Sequence, residues 1–293
     1  MEFDAPLARE LQNLRQRRSA AAKLPYPRPP RPRVISITNQ KGGVGKTTSV
    51  VNLAAALARA GLRVLVLDLD PQGNASSGLG LDIRSGAPGI YEVLIGANQL
   101  ADVVVGVEES QNLSCAPSSL DLAGAEIELV DLKRREFRLR DALSAYWRTH
   151  PGAFDYVLID CPPSLGLLTV NAFVAASEVL IPIQCEYYAL EGLSQLLHNV
   201  SLVNRSLNPQ LRVTTILLTM YDSRTRLAAD VAGQVRSTFP QQTLQAVIPR
   251  SVRVSEAPSY GSSVIEYDGG SKGAIAYLEA ASELAVRGAD HGA

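Results

Sequence analysis

The 293-residue sequence contains few cysteines, few aromatic residues and no long apolar run. Its three cysteines, Cys115, Cys161 and Cys185, are too few and too far apart for a disulfide framework or a CxxC metal site, so we expect reduced, structural thiols. No apolar stretch reaches the length of about 18 residues that a membrane span requires, and the first residues lack the apolar core of an export signal. We therefore expect a cytoplasmic protein with no membrane association.

Charge of either sign is also scarce. Charged residues make up 19% of the chain, the formal net charge is -1, and 46% of the residues are apolar. A disordered chain combines low hydrophobicity with high net charge, so this composition excludes one. The length is enough for a single large domain with a substantial core.

The N-terminal segment 1–32 differs from the rest of the chain. Residues 1–33 carry eight basic and three acidic side chains, a balance of +5, and the segment holds six of the 17 prolines. The run from Pro25 to Pro32 favours extended backbone, and we interpret residues 1–32 as a flexible basic leader. Leu7, Leu11 and Leu14 recur at helical spacing and leave open a short amphipathic helix, but a solvated tail is favoured because so short a helix is marginal in water.

The body of the chain, residues 33–290, alternates strand-like apolar runs with segments of helical period. Strands are expected at 34–38, 63–67, 156–159, 178–183 and 213–220, and helices at 125–143, 190–206, 227–239 and 272–286. This alternation is typical of an α/β fold with a mostly parallel, twisted sheet and helices on both faces. No internal segment resembles a linker, which predicts a single domain.

A glycine-rich turn joins the first strand to the first helix of this body. It reads Lys41-Gly-Gly-Val-Gly-Lys46-Thr47-Thr48. Glycines allow the tight turn, the helix N-terminus favours anions, and Lys46 supplies a charge for the β and γ phosphates, while Thr47 is suited to bind Mg²⁺. The predicted ligands are ATP and Mg²⁺, and the predicted nucleotide-binding residues of the loop are Lys41, Gly42, Gly43, Val44, Gly45, Lys46, Thr47 and Thr48.

The same loop departs from the ordinary phosphate-binding pattern, because Gln40 stands where that pattern has its first glycine and Lys41 follows it. In this it resembles the deviant Walker A family of P-loop NTPases, which includes the ParA/Soj partition ATPases, the MinD ATPases and the nitrogenase iron protein. The resemblance implies an ATP-sandwich homodimer in which Lys41 reaches the nucleotide of the partner subunit. The alternative is a solvated loop lysine.

Two further segments place carboxylates at strand ends. Strand alternation sends Asp68 and Asp70 to the same side, and Asp160 ends an apolar strand as the acid of a Walker B arrangement does, where it orients waters on Mg²⁺. The family resemblance implies that Asp70 serves the attacking water and that Asp68 helps to hold the waters of the metal. Lys41, Lys46, Asp70 and Asp160 are thus the predicted catalytic residues. Each acid, taken alone, is equally suited to capping a turn.

The resemblance is strongest to chromosomal ParA/Soj proteins and covers nearly all of residues 34–290. Matching stretches lie at 70–75, 122–129, 160–169, 184–192 and 248–258. In that family the adenine base lies near the segment after the last strand, which implies a contact with Pro249.

Nucleic-acid binding is implied by the resemblance rather than by the overall charge, since the chain beyond residue 33 carries -6. The family positions matched by Arg224 and Arg253 contact DNA backbone in the dimer, and Arg250 is a third candidate. Phosphate contacts carry no sequence information, so binding to double-stranded DNA is expected to be non-specific and salt-dependent. The alternative for each arginine is a surface ion pair.

The sequence therefore predicts a slow, ATP-hydrolysing switch of a chromosome or plasmid segregation system, associated with the nucleoid and stimulated by a ParB-like partner. A MinD-like membrane ATPase is the main alternative, although the C-terminal residues lack a basic amphipathic pattern. An iron–sulfur carrier and a scaffold that binds ATP without turnover are two further possibilities.

Overall fold

A single eight-stranded sheet forms the centre of the computed structural model, which describes residues 6–83, 86–108, 110–187 and 191–290. The strand order is β3-β4-β2-β5-β1-β6-β7-β8, and only β3 is antiparallel to its neighbour. The predicted mostly parallel sheet is confirmed. The strands are β1 Arg33–Ile37, β2 Val64–Asp68, β3 Val105–Val107, β4 Ser110–Ala116, β5 Tyr156–Asp160, β6 Glu178–Gln184, β7 Arg212–Tyr221 and β8 Thr243–Pro249.

Helices connect the strands and cover the sheet on both faces. They are α1 Pro6–Ala21, α2 Lys46–Arg59, α3 Asn74–Gly78, α4 Ile90–Ile95, α5 Leu100–Val103, α6 Leu122–Leu129, α7 Arg138–Thr149, α8 Leu167–Ala175, α9 Glu191–Ser206, α10 Arg226–Thr238, α11 Val252–Glu256, α12 Val264–Tyr267 and α13 Lys272–Asp290. Short 3₁₀ turns precede α7 and follow α11.

The sheet is covered on both sides because its central strands are buried along their whole length and consist mainly of apolar residues. Every residue of β1, β2 and β5 is buried, and alternate side chains enter two separate apolar clusters. Val34 packs in one cluster and Ile35 in the other. Period-two alternation explains this division, because neighbouring side chains of a strand point to opposite faces.

One predicted helix is wrong in its extent. Residues 125–143 do not form one helix, because α6 ends at Leu129 and α7 begins at Arg138. Between them Arg134 has a φ of 56°, a left-handed conformation that a right-handed helix cannot include. Ile127, which strengthened the helical pattern, is exposed.

Two strands, β3 and β4, were missed by the sequence pattern, and β8 was expected only as a last strand before Pro249, without bounds. β3 and β4 are short or partly exposed, and β8 contains the exposed Gln245 among buried and partly buried residues. All three lie at or next to the ends of the sheet, where a strand needs only a partly apolar sequence.

The leader, expected to be solvated, differs from that expectation. It forms α1 and then runs along the body, where Tyr26 Oη donates a 2.8 Å hydrogen bond to Leu278 O of α13 and Ser282 Oγ donates one of 2.7 Å to Pro25 O. The exposed Arg28 guanidinium lies 3.4 Å from the buried carboxylate of Asp155. The side chains of Leu7 and Leu11, on which the amphipathic pattern rested, are outside the described residues.

Candidate functional site

The glycine-rich loop runs from the end of β1 to Lys46, the first residue of α2. Gly43 and Gly45 have φ values of 73° and 87°, conformations that side chains with a Cβ rarely adopt. A Cβ at Gly42 or Gly43 would contact nothing within 4 Å, so this part of the loop faces open space. The loop therefore forms an uncrowded turn at the N-terminus of a 14-residue helix, the arrangement that binds phosphate groups.

Thr219, near the end of β7, fixes this loop from the side. Its hydroxyl donates a 2.8 Å hydrogen bond to the carbonyl of Val44, and both groups are buried. The contact ties the loop to a strand two positions away in the sheet.

Lys46 is 7% exposed. Its Nζ lies 3.4 Å from the carbonyl oxygen of Lys41 at the start of the loop, so the side chain reaches back toward the loop. Burial lowers the pKa of this ammonium, while the charges of Asp160 and Asp70 oppose the shift. The charge of Lys46 is thus buried with few hydrogen bonds to stabilise it, in a position where a bound anion would do so.

Asp160, the last residue of β5, is completely buried. Neither carboxylate oxygen has a partner with full hydrogen-bond geometry among the residues that the structure describes. Burial and the neighbouring charge of Asp68 raise the pKa of Asp160 well above its ordinary value, and the Thr47 hydroxyl and Lys46 favour the ionised form. A buried carboxylate without partners is costly unless a bound group satisfies it, and its position beside Thr47 fits the water ligands of Mg²⁺.

Asp68, the residue of β2 paired with Asp160, has the opposite environment. Its carboxylate accepts hydrogen bonds from the Ser76 hydroxyl at 2.6 Å, the Ser76 N–H at 2.8 Å and the Asp70 N–H at 3.2 Å. Burial nevertheless raises the pKa of Asp68 to about 6. These contacts join the end of β2 to α3.

Asp70 lies in the turn that these contacts hold. It is 7% exposed, its Oδ1 accepts the N–H of Gln72 at 3.0 Å, and its carbonyl accepts the Ser118 hydroxyl at 2.8 Å. The Ser118 N–H in turn donates to the Ser76 hydroxyl at 3.0 Å. Ser118 therefore holds the backbone of Asp70, and Ser76 holds Ser118, while the carboxylate of Asp70 keeps capacity for a water.

Lys41 is separated from this buried group. Its Nζ lies 2.9 Å from Glu186 Oε2, and both side chains are close to half exposed. The lysine N–H donates to Asn39 Oδ1 at 3.0 Å. Within one chain, Lys41 is therefore a surface residue with an exchangeable partner.

The three predicted DNA-contacting arginines gather at the ends of β7 and β8. Arg224 forms a two-pronged pair with Asp222, at 2.7 and 2.9 Å, which lowers the pKa of Asp222 to about 2. Arg250 is exposed, and its charge also acts on Asp222. Arg253 lies 3.1 Å from Glu256 and 3.4 Å from Asp268. The ion pairs that the sequence left open for these arginines are present, but such exposed pairs are weak and can be exchanged.

Pro249 ends β8 and lies opposite Tyr221 of β7. It lines a cavity of about 420 Å³ together with Tyr221, Ser223 and Lys272. Asn13, Leu14 and Arg17 of the leader line its other side.

The sequence missed Ser76, Ser118, Thr219 and Glu186. Ser76 and Ser118 are far apart in the chain and have no motif, and Ser118 follows β4, a strand that the pattern did not reveal. Only Glu186 carried a signal, since it lies in the matching stretch 184–192, of which residues 188–190 are outside the described structure.

Comparisons with known proteins agree with this geometry. A family model described as an AAA domain matches residues 32–213. A solved structure named cobyrinic acid a,c-diamide synthase from Mycobacterium smegmatis, with bound ADP and magnesium, superposes with a TM-score of 0.77 at 40% identity, covering 90% of this chain and 97% of that one. The septum site-determining protein MinD of Pyrococcus horikoshii, complexed with Mg-ADP, gives 0.68 at 27% identity, with 87% and 96% covered. The fold and the loop therefore define a P-loop ATPase.

Relatives with assigned names identify the family of P-loop ATPases to which the chain belongs. The chromosome partitioning protein ParA of Myxococcus xanthus is 52% identical over 255 residues, covering 87% of this chain and 88% of the relative. The sporulation initiation inhibitor protein Soj of Bacillus subtilis is 51% identical over 256 residues, covering 87% and 99%. The chain belongs to the ParA/Soj family of chromosome-partitioning ATPases, as the sequence predicted, and the more distant MinD similarity does not favour a MinD-like membrane ATPase.

The cysteines are buried free thiols at all three positions. None of the described residues form a cluster of three or more histidines, cysteines or acids suited to a metal ion. Within the same part of the chain, no helix is both long and apolar enough to cross a membrane.

Proposed function

We propose that the protein is a Mg-ATP-dependent switch that dimerises around nucleotide, binds DNA without sequence preference and is reset by a ParB-like partner. The observation that carries this proposal is the pairing of the Lys46–Thr47 helix start with Asp160, a buried carboxylate that lacks partners among the described residues. The relative named chromosome partitioning protein ParA supports a role in partition. We assign this role to chromosome or plasmid partition and place it in the cytoplasm, on the nucleoid.

Nucleotide binding is assigned to the loop and the first turn of α2. The N–H groups of residues 41–48 and the helix N-terminus bind the phosphates, Lys46 neutralises their charge, and the Thr47 hydroxyl binds Mg²⁺. Bound Mg²⁺ would polarise the terminal phosphate and hold waters in place. Pro249 contacts the adenine base from the end of β8.

The three carboxylates have separate tasks in this proposal. Asp160 accepts hydrogen bonds from the waters of the metal, which gives its buried oxygens the partners that they lack among the described residues. Asp70 orients the attacking water, and the Ser76 and Ser118 contacts hold its backbone. Asp68 holds the turn through Ser76, and its part in positioning the metal's waters stays a prediction.

Dimerisation is assigned to Lys41. Its ion pair with Glu186 is half exposed, so a partner subunit's nucleotide can replace the carboxylate with little loss. Contact with a second phosphate chain would then depend on both subunits being loaded, which links dimerisation to ATP.

DNA binding is assigned to Arg224, Arg250 and Arg253. They are exposed at the same edge of the sheet, and the partners of Arg224 and Arg253 are surface carboxylates that phosphate groups can replace. A dimer presents each arginine twice, so affinity should rise with dimerisation and fall steeply with salt.

The test is a DNA titration in the presence of ADP, ATP and a slowly hydrolysed ATP analogue. We expect binding with ATP and the analogue but not with ADP. Asp70→Ala should bind DNA with ATP and retain it, because the hydrolytic reset is missing, whereas Asp141→Ala on α7 should behave as wild type. Equal DNA affinity in ADP and ATP would contradict the switch, and wild-type hydrolysis by Asp70→Ala would show that another residue handles the water.

A further inference from the structure

The leader helix α1 crosses the outer surface of α13. On one side of α13, the leader's Asn13, Leu14 and Arg17 share a cavity with Ser223 and Pro249 at the ends of β7 and β8. On the other side, Arg18 and Ala21 share a cavity of about 720 Å³ with Arg59 of α2. The helix thus connects the loop that carries Arg224 with the exposed end of α2.

The helix is held on the body by specific contacts. Arg17 forms a two-pronged pair with Glu279 of α13, with distances of 2.6 and 3.2 Å. Ala21 is buried, and the following residues are anchored through Pro25 and Tyr26. The position of α1 is therefore defined by contacts at several points along the leader.

Positive charge dominates the surface that this helix presents. Residues 12–23 contain four basic and no acidic side chains, and residues 12, 13 and 15–20 are all exposed or nearly so. Arg15 and Arg18, three residues apart, lie on one face of the helix, and neither has an ion pair among the described residues. Arg17, Arg224 and Arg253, by contrast, each form an ion pair with a described carboxylate.

This surface is continuous with the proposed DNA-binding site. A Cβ at Gly270 would lie 3.3 Å from Arg18 Nη1 and 3.8 Å from Asp268 Oδ1. The other oxygen of Asp268 lies 3.4 Å from Arg253 Nε. Arg18 and Arg253 therefore border the same short loop, before α13.

We propose that α1 is a second DNA-contacting element, in which Arg15 and Arg18 bind backbone phosphates of the duplex that Arg253 contacts. Guanidinium groups that no described carboxylate pairs with suit phosphate binding on a docked helix, since no such partner must be displaced. This inference rests on the proposed DNA binding of the dimer and extends its contact surface from the strand ends across α13.

The described side chains of α1, from residue 12 onward, favour DNA over a lipid surface. A membrane-bound helix places large apolar side chains on the face that enters the interface. Residues 12, 13 and 15–20 are polar or small. Leu14, the leucine of α1 whose side chain is described, lines the cavity beside Pro249. Electrostatic attraction without apolar insertion matches the requirements of a phosphate backbone.

The experiment compares the full-length wild type with R15Q/R18Q, which removes both charges but leaves the Arg17 pair with Glu279. The matched control is R148Q/R205Q, which changes arginines in the last turns of α7 and α9, next to the edge where strands begin. ATP-dependent binding to two duplexes of unrelated sequence is measured over a range of salt concentrations. Sedimentation with phosphatidylcholine vesicles, with and without phosphatidylserine, is measured alongside, and thermal unfolding checks the fold.

R15Q/R18Q should bind both duplexes on the order of tenfold more weakly and flatten the log-log salt dependence by about three to four units, because a dimer loses four phosphate contacts. R148Q/R205Q should match wild type. Unchanged affinity and slope in R15Q/R18Q, while R253E binds weakly, would overturn the role of α1 and leave the proposed function intact. Loss of vesicle binding with unchanged DNA binding would assign the helix to a membrane instead. If the wild type binds no DNA with ATP, the proposed function itself fails.

Discussion

Two regions at the same edge of the sheet differ in whether their charged side chains are buried or exposed. At the ends of β2 and β5, Asp68 and Asp160 are completely buried. At the ends of β7 and β8, Arg224 and Arg253 are exposed and paired with surface carboxylates. Burial makes the first region costly to assemble and sensitive to a bound ligand, while exposure leaves the second free to exchange partners. The buried region is therefore suited to catalysis, and the exposed region is suited to binding a partner.

A finer contrast exists within the buried region. Asp68 and Asp160 are paired across neighbouring strands, yet Asp68 accepts three hydrogen bonds while Asp160 accepts none with full geometry among the described residues. The satisfied carboxylate stabilises the turn that holds Asp70. The unsatisfied one is a site where a ligand supplies the missing contacts.

Replacing Lys46 should give the largest effect, since it removes the cation of the buried region. Lys46→Ala should lower ATP hydrolysis by on the order of 100-fold or more, because the other lysine of the loop, Lys41, is about half exposed and paired with Glu186, so it cannot replace the buried cation. Nucleotide affinity, dimerisation and DNA binding should fall with it. Hydrolysis and equilibrium ATP binding are the measurements, and ATP-dependent dimerisation by this variant would contradict the phosphate-loop assignment.

Lys41 belongs to the same loop but to the exposed class of charges. Lys41→Ala should lose ATP-dependent dimerisation and stimulated hydrolysis while keeping most of its ATP affinity, because its proposed contact exists only across the subunit interface. Glu186→Gln is the companion variant, since it frees Lys41 from its ion pair and should preserve dimerisation. Size-exclusion chromatography with ATP separates the outcomes, and an unchanged dimer in Lys41→Ala would reduce Lys41 to a surface residue.

Arg253 tests the exposed region. Arg253→Glu should weaken binding to all DNA sequences alike, and a dimer that loses two phosphate contacts should show a salt dependence flatter by about two units. ATP-dependent dimerisation should be unaffected. Arg148→Glu, at the opposite edge of the sheet, is the matched charge reversal. Equal losses of DNA affinity in both variants would show that overall charge rather than this surface determines binding.

The smallest expected effect is the one that replacing Asp160 has on the stability of the protein without ligands. Without nucleotide and Mg²⁺, Asp160→Asn should raise the free energy of unfolding by about 1–3 kcal/mol, because it removes a buried charge that lacks partners among the described residues. At about 2–4 °C per kcal/mol, this is a measurable increase in Tm.

The pH dependence provides a second measurement on the same variant. The pKa of Asp160 is higher in the folded protein than its ordinary 3.8, so the folded state binds the proton more tightly. Wild-type stability should therefore decrease as the pH rises from about 4 through the raised pKa, and the decrease should be smaller in Asp160→Asn. A lower Tm for the variant at neutral pH would mean that the carboxylate has structural partners after all.

Much of the fold and of the buried site was predictable from local sequence. The mainly apolar strands around Ile35, Val66 and Leu158 and the glycine loop before Lys46 can each be recognised from a few consecutive residues. The break between α6 and α7 was not predictable, because it depends on the left-handed Arg134 and on the exposure of Ile127. Exposed apolar residues carry the same periodic signal as buried ones, so the pattern could not separate them.

The sequence by itself determined the class of protein, since the spacing of glycine, lysine and threonine between an apolar strand and a helix suffices for a phosphate-binding loop. Tertiary structure alone decided which of two equivalent acids is satisfied and where the basic leader lies. Asp68 and Asp160 both end mainly apolar strands, and the hydrogen bonds that Asp68 accepts from Ser76 and from the Asp70 N–H distinguish them. The position of α1 depends on contacts such as Arg17 with Glu279, 262 residues apart, and contacts between such distant residues leave no periodic signal in the sequence.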